Sequence, residues 1–252
     1  MMPILIPPAF ITLLRAAAHV AVLTGAGVSA ESGVPTFREA QTGLWAQYSP
    51  NDLATPEAFQ RDPRLVWEWY AQRRERVGQV QPNPGHRALA DLETRLAQRG
   101  AQFTLITQNV DGLHQRAGSR NVIELHGNIA RIKCSREDRV VASWPPTRQV
   151  PPPCPHCGAP LRPDVVWFGE DLPWEAILAA QRAARQSDIF FSVGTSGVVE
   201  PAASLPFIAL QHKAMVVEIN PESTPLTPQA TYVLAGPSGA VLPELVSAVW
   251  PS

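Results

Sequence analysis

The chain has three cysteines in 252 residues, too few and too unevenly placed for a disulfide framework. It has no apolar run approaching the roughly 20 residues a membrane span needs. Charge of either sign is not in excess: 21 basic residues stand against 22 acidic ones, so nothing draws the chain over long range to nucleic acid or an anionic membrane. Met1 to Phe10 is apolar but lacks a basic n-region, is broken by Pro3, Pro7 and Pro8, and carries no cleavage pattern. Internal repeats are missing as well. Together these absences predict a cytoplasmic, soluble protein that engages neither nucleic acid nor membrane and is expected to act as a monomer.

What is present is enough chain for a full core, at a length where doubly wound folds often form one domain with an inserted module. The 26 prolines cluster in connections, notably between Pro145 and Pro160, where they stiffen an irregular segment. Short apolar runs at His19 to Leu23, Phe103 to Ile106, Asn121 to Leu125, Asp188 to Val193, Ala214 to Ile219 and Thr231 to Leu234 read as strands. Helical patterns lie between them, at Pro8 to Ala18, Trp174 to Gln186, Glu200 to His212 and Ala240 to Trp250. Asp62-Pro63 and Asn83-Pro84 each read as a cap followed by a first-turn proline, opening helices that end near Gly78 and Gly100. Strands alternating with helices argue for a parallel sheet with right-handed crossovers. Two stretches break the alternation, the helical 39–85 and the cysteine- and proline-rich 127–163. They predict a smaller second domain inserted twice into a large one made of residues 1–38, 86–126 and 164–252.

The most informative stretch is Thr24-Gly25-Ala26-Gly27-Val28-Ser29, where the first strand runs into a glycine turn and a helix start. Small residues there let the backbone approach a pyrophosphate, and a helix N-terminus offers N–H groups to the anion. A turn without a ligand is the plain alternative for so short a pattern. A dehydrogenase would continue into a second strand ending in an acidic ribose-binding residue. This chain continues instead through Gly33-Val34-Pro35-Thr36-Phe37-Arg38 and Gly43-Leu44-Trp45, which reads as a lid over the nicotinamide end of a dinucleotide.

Five polar clusters follow five predicted strands: Thr24 to Gly27, Thr107-Gln108-Asn109-Val110-Asp111, His126-Gly127, Gly194-Thr195-Ser196 and Asn220-Pro221-Glu222. Ligands of open parallel sheets bind beyond the carboxyl ends of the strands, so the five converge on one crevice. Gly194 permits close approach, and the Thr195 and Ser196 hydroxyls suit ribose or phosphate. Asn220 and Glu222 suit ribose hydroxyls, and Ser238 is placed to close on adenine. Asn109 and Asp111 put an amide and a carboxylate beside a glycosidic bond to nicotinamide. His126, the one histidine of six at a strand end followed by glycine, is placed for its ring to face the cleft and titrate near neutrality as a general base; a satisfied structural histidine is the plain alternative, against which Asn109 and Asp111 weigh.

These pieces, in this order, resemble the sirtuins, the NAD-dependent protein deacylases. The resemblance rests on Gly25-Ala26-Gly27-Val28-Ser29, Gly33 to Arg38, Thr107 to His114, His126-Gly127, Val166-Trp167-Phe168-Gly169-Glu170 and Gly194 to Ser196, and covers nearly the whole chain. It implies an α/β fold, a Rossmann-like doubly wound parallel sheet with a smaller inserted zinc-ribbon and helical domain, and acyl-lysine protein substrates entering the cleft between the two. It also implies that NAD is consumed. The acyl oxygen attacks the anomeric carbon as nicotinamide leaves, with Asn109 and Asp111 positioning ring and ribose. His126 then acts as base on the ribose hydroxyl that attacks the alkylimidate, and the products are free lysine, nicotinamide and O-acyl-ADP-ribose. Phe37 would shield the cationic intermediate, Arg38 would order the lid together with Pro35, Thr36 and Trp45, and residues 166–170 would pair with the substrate backbone.

Tyr70 and Arg73 lie three apart and share a helix face, a phenol beside a guanidinium fork that suits a carboxylate at the end of an acyl chain. With Arg74 and Arg76 on the same helix, a solvated basic face is the plain reading. The Tyr-x-x-Arg spacing nevertheless resembles the mark of the class III sirtuins, which implies removal of succinyl and malonyl as well as acetyl groups. The zinc module departs from the family. Cys154 and Cys157 form one close pair, but Cys134 has no second cysteine near it. Zinc on Cys134, Cys154 and Cys157 would take Glu137, Asp138, His156 or water as fourth ligand; a decayed site is the alternative. Two other functions use the same cleft, NAD-dependent mono-ADP-ribosyl transfer (or glycohydrolysis) and NAD sensing without turnover.

Overall fold

The computed structural model describes residues 6–34 and 50–251. Among them the strands are β1 (His19–Thr24), β2 (Gln102–Thr107), β3 (Val122–Glu124), β4 (Gly127–Cys134), β5 (Leu161–Val165), β6 (Ile189–Val193), β7 (Met215–Asn220) and β8 (Tyr232–Ala235). The helices are α1 (Pro8–Ala16), α2 (Ala26–Ala30), α3 (Pro50–Leu53), α4 (Pro56–Arg61), α5 (Pro63–Gln79), α6 (Pro84–Gln98), α7 (Leu113–Arg116), α8 (Trp174–Gln186), α9 (Leu205–Gln211) and α10 (Ser238–Val249). Six strands form one parallel sheet in the order β3-β2-β1-β6-β7-β8. The chain leaves β1 toward one edge and β6 toward the other, so the switch point, where open sheets hold their ligands, lies between the carboxyl ends of β1 and β6.

All six residues of β1 are buried, as a central parallel strand requires. Val20 and Val22 face a core with Leu89, Leu92 and Leu96 of α6, Phe10 and Leu14 of α1, and Val241, Leu242 and Leu245 of α10. Ala21 and Leu23 face the opposite core with Ile177 and Ala180 of α8 and with Leu205 and Ala209 of α9. Each large apolar side chain so buried contributes about 1.5–3 kcal/mol relative to exposure. The two expected caps are in place: Asp62 accepts from the Leu65 N–H at 2.9 Å, and Asn83 accepts from the Gly85 N–H at 2.9 Å. The helix expected over residues 200–212 is instead a short 3₁₀ turn, Ala202–Ser204, followed by α9. Pro206 is the cause, since it lacks the N–H that a continuous helix would need and belongs at a helix start.

The second region is built around an antiparallel pair, β4 against β5, with Gly127 opposite Val165 and Cys134 opposite Leu161. Strand β5 was not legible in the sequence, because Leu161-Arg162-Pro163-Asp164-Val165 carries a proline and two charges. A proline is tolerated in a strand that pairs on one side. Helix α5 joins the parts of this region. Its Val66, Trp69 and Tyr70 pack with Leu53, Phe59, Ile129 and Trp167, while its Trp67 packs with Ile132, Cys134, Cys154 and Leu161.

Candidate active site

The glycine turn after β1 lies directly against the turn after β6. The Gly25 N–H donates to the Val193 carbonyl at 3.1 Å and the Gly27 N–H to the Gly194 carbonyl at 2.8 Å. A Cβ on Gly25 or Gly27 would come within 2.8 Å of the Gly194 oxygen, and one on Gly194 within 2.5 Å of the Val28 nitrogen. Gly194 also has φ +58°. The glycines are therefore required first of all for backbone to meet backbone at the switch point. A phosphate would approach a turn whose shape is already fixed.

Behind the turn sits a buried polar network. Asn109 donates through Nδ2 to the Gly25 carbonyl at 2.9 Å and to Ser29 Oγ at 3.1 Å. The Ser29 hydroxyl donates to Asp111 Oδ2 at 2.7 Å, and Asp111 Oδ1 accepts the Leu113 N–H at 2.9 Å. Burial pushes the Asp111 carboxyl up from its ordinary value, against the pull of those two hydrogen bonds. His86 Nδ1 accepts the Asn83 N–H at 3.3 Å, which leaves the proton on Nε2, facing Ser29 Oγ at 3.4 Å. The His114 ring packs at a tilt against that of His86 with ring centroids 4.8 Å apart, and its Nε2 lies 2.9 Å from Thr24 Oγ1. Burial, reinforced by the Arg87 charge, lowers the His86 pKa to about 4; burial and His86 itself lower that of His114 to about 3. Both are neutral supports. Thr24 belongs to the stretch the sequence singled out, but His86 did not stand out; its signal was its place three residues after the Asn83 cap, where its ring completes a capping box.

Gln108 links the network to His126. Its Nε2 donates to Thr195 Oγ1 at 3.1 Å, and its backbone carbonyl lies 2.8 Å from His126 Nδ1. A carbonyl only accepts, so Nδ1 carries the proton and Nε2 of the neutral ring presents a lone pair. Burial lowers the His126 pKa from its ordinary value, the Gln108 carbonyl opposing this only in part. The ring is the free base at neutral pH. His126 sits two residues beyond β3 and immediately before β4, where Gly127 has φ +80° and a Cβ would come within 2.2 Å of the Asp164 oxygen.

The expected substrate residues meet on the other side of His126. The Val166 N–H donates to the His126 carbonyl at 3.0 Å and the Phe168 N–H to the Ala54 carbonyl at 2.9 Å. The next ring along, Trp167, lies 6.3 Å from that of Tyr70. Tyr70 is buried, which raises its pKa and keeps the phenol protonated. The Arg73 guanidinium lies 4.8 Å over the Trp69 ring. Glu170 turns inward: it accepts from Arg162 at 2.6 and 2.8 Å and from the Trp167 N–H at 2.8 Å, while Arg162 covers the Trp167 ring at 3.3 Å. Burial works against the Glu170 charge, but Arg162 and the Trp167 N–H outweigh it and hold the carboxyl below its usual range. Glu170 is thus a clamp on the Trp167 segment. Gly169, with φ +88°, makes the turn between them.

Val110 joins the two regions, its carbonyl accepting the Ile129 N–H at 2.8 Å. The other expected cofactor residues are looser or engaged elsewhere. Ser196, Pro221 and Glu222 are exposed, and Asn220 Nδ2 donates to the Glu222 carbonyl at 2.8 Å. The Ser238 hydroxyl donates to Glu31 at 3.3 Å, and the same carboxylate accepts the Gly239 N–H at 2.6 Å. Pro35, Thr36, Phe37, Arg38 and Trp45 lie outside the described residues.

In the second region, Cys134, Cys154 and Cys157 converge, with the Cys134 and Cys157 sulfurs 3.4 Å apart. One ligand atom each from these three and Glu137 lie within 4.8 Å of one another, close to the roughly 3.8 Å between sulfurs of a tetrahedral zinc site. The donor set fits zinc. No helix among the described residues is long and apolar enough to cross a membrane.

Residues 25–201 match the model of the Sir2 family. The chain is 55% identical over 237 residues to NAD-dependent protein deacylase 2 of Pyrobaculum aerophilum, covering 94% of this chain and 93% of that protein. Among solved structures it resembles a Sir2 homologue in complex with NAD, with TM-score 0.88, 47% identity and coverage of 99% and 96%. It also resembles a mutant Sir2 homologue in complex with 2′-O-acetyl ADP ribose, with TM-score 0.86, 48% identity and coverage of 97% and 96%.

Proposed function

The chain belongs to the Sir2 family, and on that premise we propose that it is an NAD-dependent protein-lysine deacylase acting on succinyl, malonyl and acetyl groups. Acyl-lysine, NAD and water give free lysine, nicotinamide and O-acyl-ADP-ribose. NAD supplies the ADP-ribose that accepts the acyl group, its nicotinamide leaving from the anomeric carbon. The observation that carries the reading is the tautomer of His126. Its Nδ1 is held as a donor by Gln108, so Nε2 is available to take a proton from a ribose hydroxyl. Asn109 and Asp111 are fixed by Ser29, Gly25 and Leu113 and orient the nicotinamide ribose. Gly25, Ala26, Gly27, Gly194 and Thr195 form the turn pair toward which the pyrophosphate is directed.

For the acyl group, the supporting geometry is the neutral Tyr70 phenol and the Arg73 cation on one face of α5, next to Trp167 and so to the backbone that holds His126. A guanidinium beside a hydroxyl binds a carboxylate through charge-assisted hydrogen bonds. Zinc on the three cysteines would hold the second region together and take no part in catalysis.

The test is a panel of acetyl-, malonyl- and succinyl-lysine peptides incubated with NAD, following nicotinamide and free lysine together. Equal release of both, with the dicarboxylic acyl groups removed fastest, is the expected result. Nicotinamide release without free lysine would replace the reading with ADP-ribosyl transfer or glycohydrolysis, and NAD binding with neither product would leave an NAD sensor.

A further inference from the structure

The two turns that bring the cysteines together are built to one plan. In the first, the Cys134 N–H donates to the Arg139 carbonyl at 2.9 Å, the Asp138 N–H donates to the Cys134 carbonyl at 3.1 Å, and Lys133 bridges to Val140. In the second, the Cys154 N–H donates to the Ala159 carbonyl at 2.7 Å, the Gly158 N–H donates to the Cys154 carbonyl at 2.9 Å, and Pro153 bridges to Pro160. Every contact recurs at the same offset from the leading cysteine. The left-handed residue recurs too, Asp138 with φ +53° and Gly158 with φ +73°. Residue by residue, Glu137 therefore occupies in the first turn the place that Cys157 occupies in the second. Its N–H lies 3.4 Å from the Cys134 sulfur.

We propose that Glu137 is the fourth ligand of a zinc site formed with Cys134, Cys154 and Cys157, a carboxylate standing where the symmetry of the two turns calls for a fourth thiolate. Its ligand atom belongs to the cluster whose members all lie within 4.8 Å of one another. The other candidates are placed elsewhere. Asp138 is directed to Lys133, with its oxygen 2.7 Å from the ammonium, and neither Asp138 nor His156 brings a ligand atom into the cluster, whereas Glu137, though exposed, does. Glu137 also faces Arg139 at 3.3 Å, and a carboxylate with two oxygens can serve both. Three thiolates and one carboxylate carry the same total charge as four thiolates, so zinc still fits. One soft sulfur has been exchanged for a hard oxygen, so the site holds zinc less tightly than its four-sulfur counterpart would. Zinc binding at this site does not depend on the deacylase reading.

The experiment uses the full chain purified without a histidine tag. Zinc content, X-ray absorption at the zinc edge and chelator competition are measured for the wild type, Glu137→Ala and Glu137→Cys. The wild type is expected to hold ~1 zinc per chain, with three sulfurs at about 2.3 Å and one oxygen at about 2.0 Å. Glu137→Cys is expected to show four sulfurs and to resist the chelator better, and Glu137→Ala to bind zinc at least about tenfold more weakly, a loss of about 1.4 kcal/mol. An imidazole scattering pattern in the wild type, unchanged zinc affinity in Glu137→Ala, or a chain without zinc would each overturn the proposal. Should Glu137→Ala fail to fold, Glu137→Cys decides the matter: a shell that stays at three sulfurs overturns it.

Discussion

The switch point of the sheet and the β4–β5 region hold their functional groups in different ways. At the switch point, backbone meets backbone: Gly25, Gly27 and Gly194 interlock, and Ser29, Asn109 and Asp111 hang from that frame in a buried network. In the second region a few side chains make the connections, Arg162 on Glu170 and Trp167, and three cysteines on one another. The first arrangement tolerates little change in shape. The second depends on single contacts that one substitution removes.

Acid should separate the two most strongly. His86 and His114 are neutral in the fold, with pKa values lowered to about 4 and about 3, whereas unfolded histidines titrate near 6.5. Below that value the unfolded chain binds more protons than the folded one, so stability falls as pH drops from about 6.5 toward 4. Each tenfold difference in proton affinity between the folded and unfolded chain is worth about 1.4 kcal/mol, so the loss amounts to several kcal/mol. Denaturant midpoints measured across this range should fall steadily, and amide exchange should show α6 and α7 opening early. A flat profile would mean that the two rings are protonated in the fold.

Arg162→Met attacks the second region instead. It leaves Glu170 half-buried without its partner and should cost about 3 kcal/mol, read as a lower thermal midpoint. NAD affinity should stay unchanged, because the sheet side is not touched. Gly194→Ala and Gly158→Ala compare the regions directly. Both positions have positive φ, but a methyl group at 194 would clash with Val28 while one at 158 meets nothing within 4 Å. We expect about 2–4 kcal/mol for the first and about 1 kcal/mol for the second, with weaker NAD binding only for the first. Arg73→Met should leave stability alone and lower desuccinylation at least about tenfold, about 1.4 kcal/mol in kcat/KM, while sparing deacetylation. Equal losses on both substrates would remove Arg73 from acyl recognition.

The same contrast explains what could be read in the sequence. The four inner strands were legible because buried parallel strands are continuous apolar runs, the edge strands β3 and β8 showed as shorter apolar runs, and the glycine turn was legible because only glycine permits the contact between β1 and β6. His126 was legible as a histidine at a strand end. The clamp role of Glu170 was not, because its partner Arg162 lies in a strand disguised by Pro163. His86 was read only as part of a helix start, since nothing local says that its ring faces Ser29 from 57 residues away. Ser238 was expected at adenine, but its local pattern did not disclose the contact with Glu31, 207 residues distant.

The central claim is that His126, with Nδ1 held by the Gln108 carbonyl, is the base of the deacylation. The most direct test is the pH dependence of kcat/KM for a succinyl-lysine peptide, with His126→Tyr alongside. General-base catalysis contributes at least about a hundredfold. The wild type should therefore lose activity only as pH falls through an ionisation below about 6.5, and His126→Tyr should be slower by at least that factor above this ionisation, the gap narrowing below it. A profile without that ionisation, or a His126→Tyr enzyme within about tenfold of the wild type above it, would contradict the account.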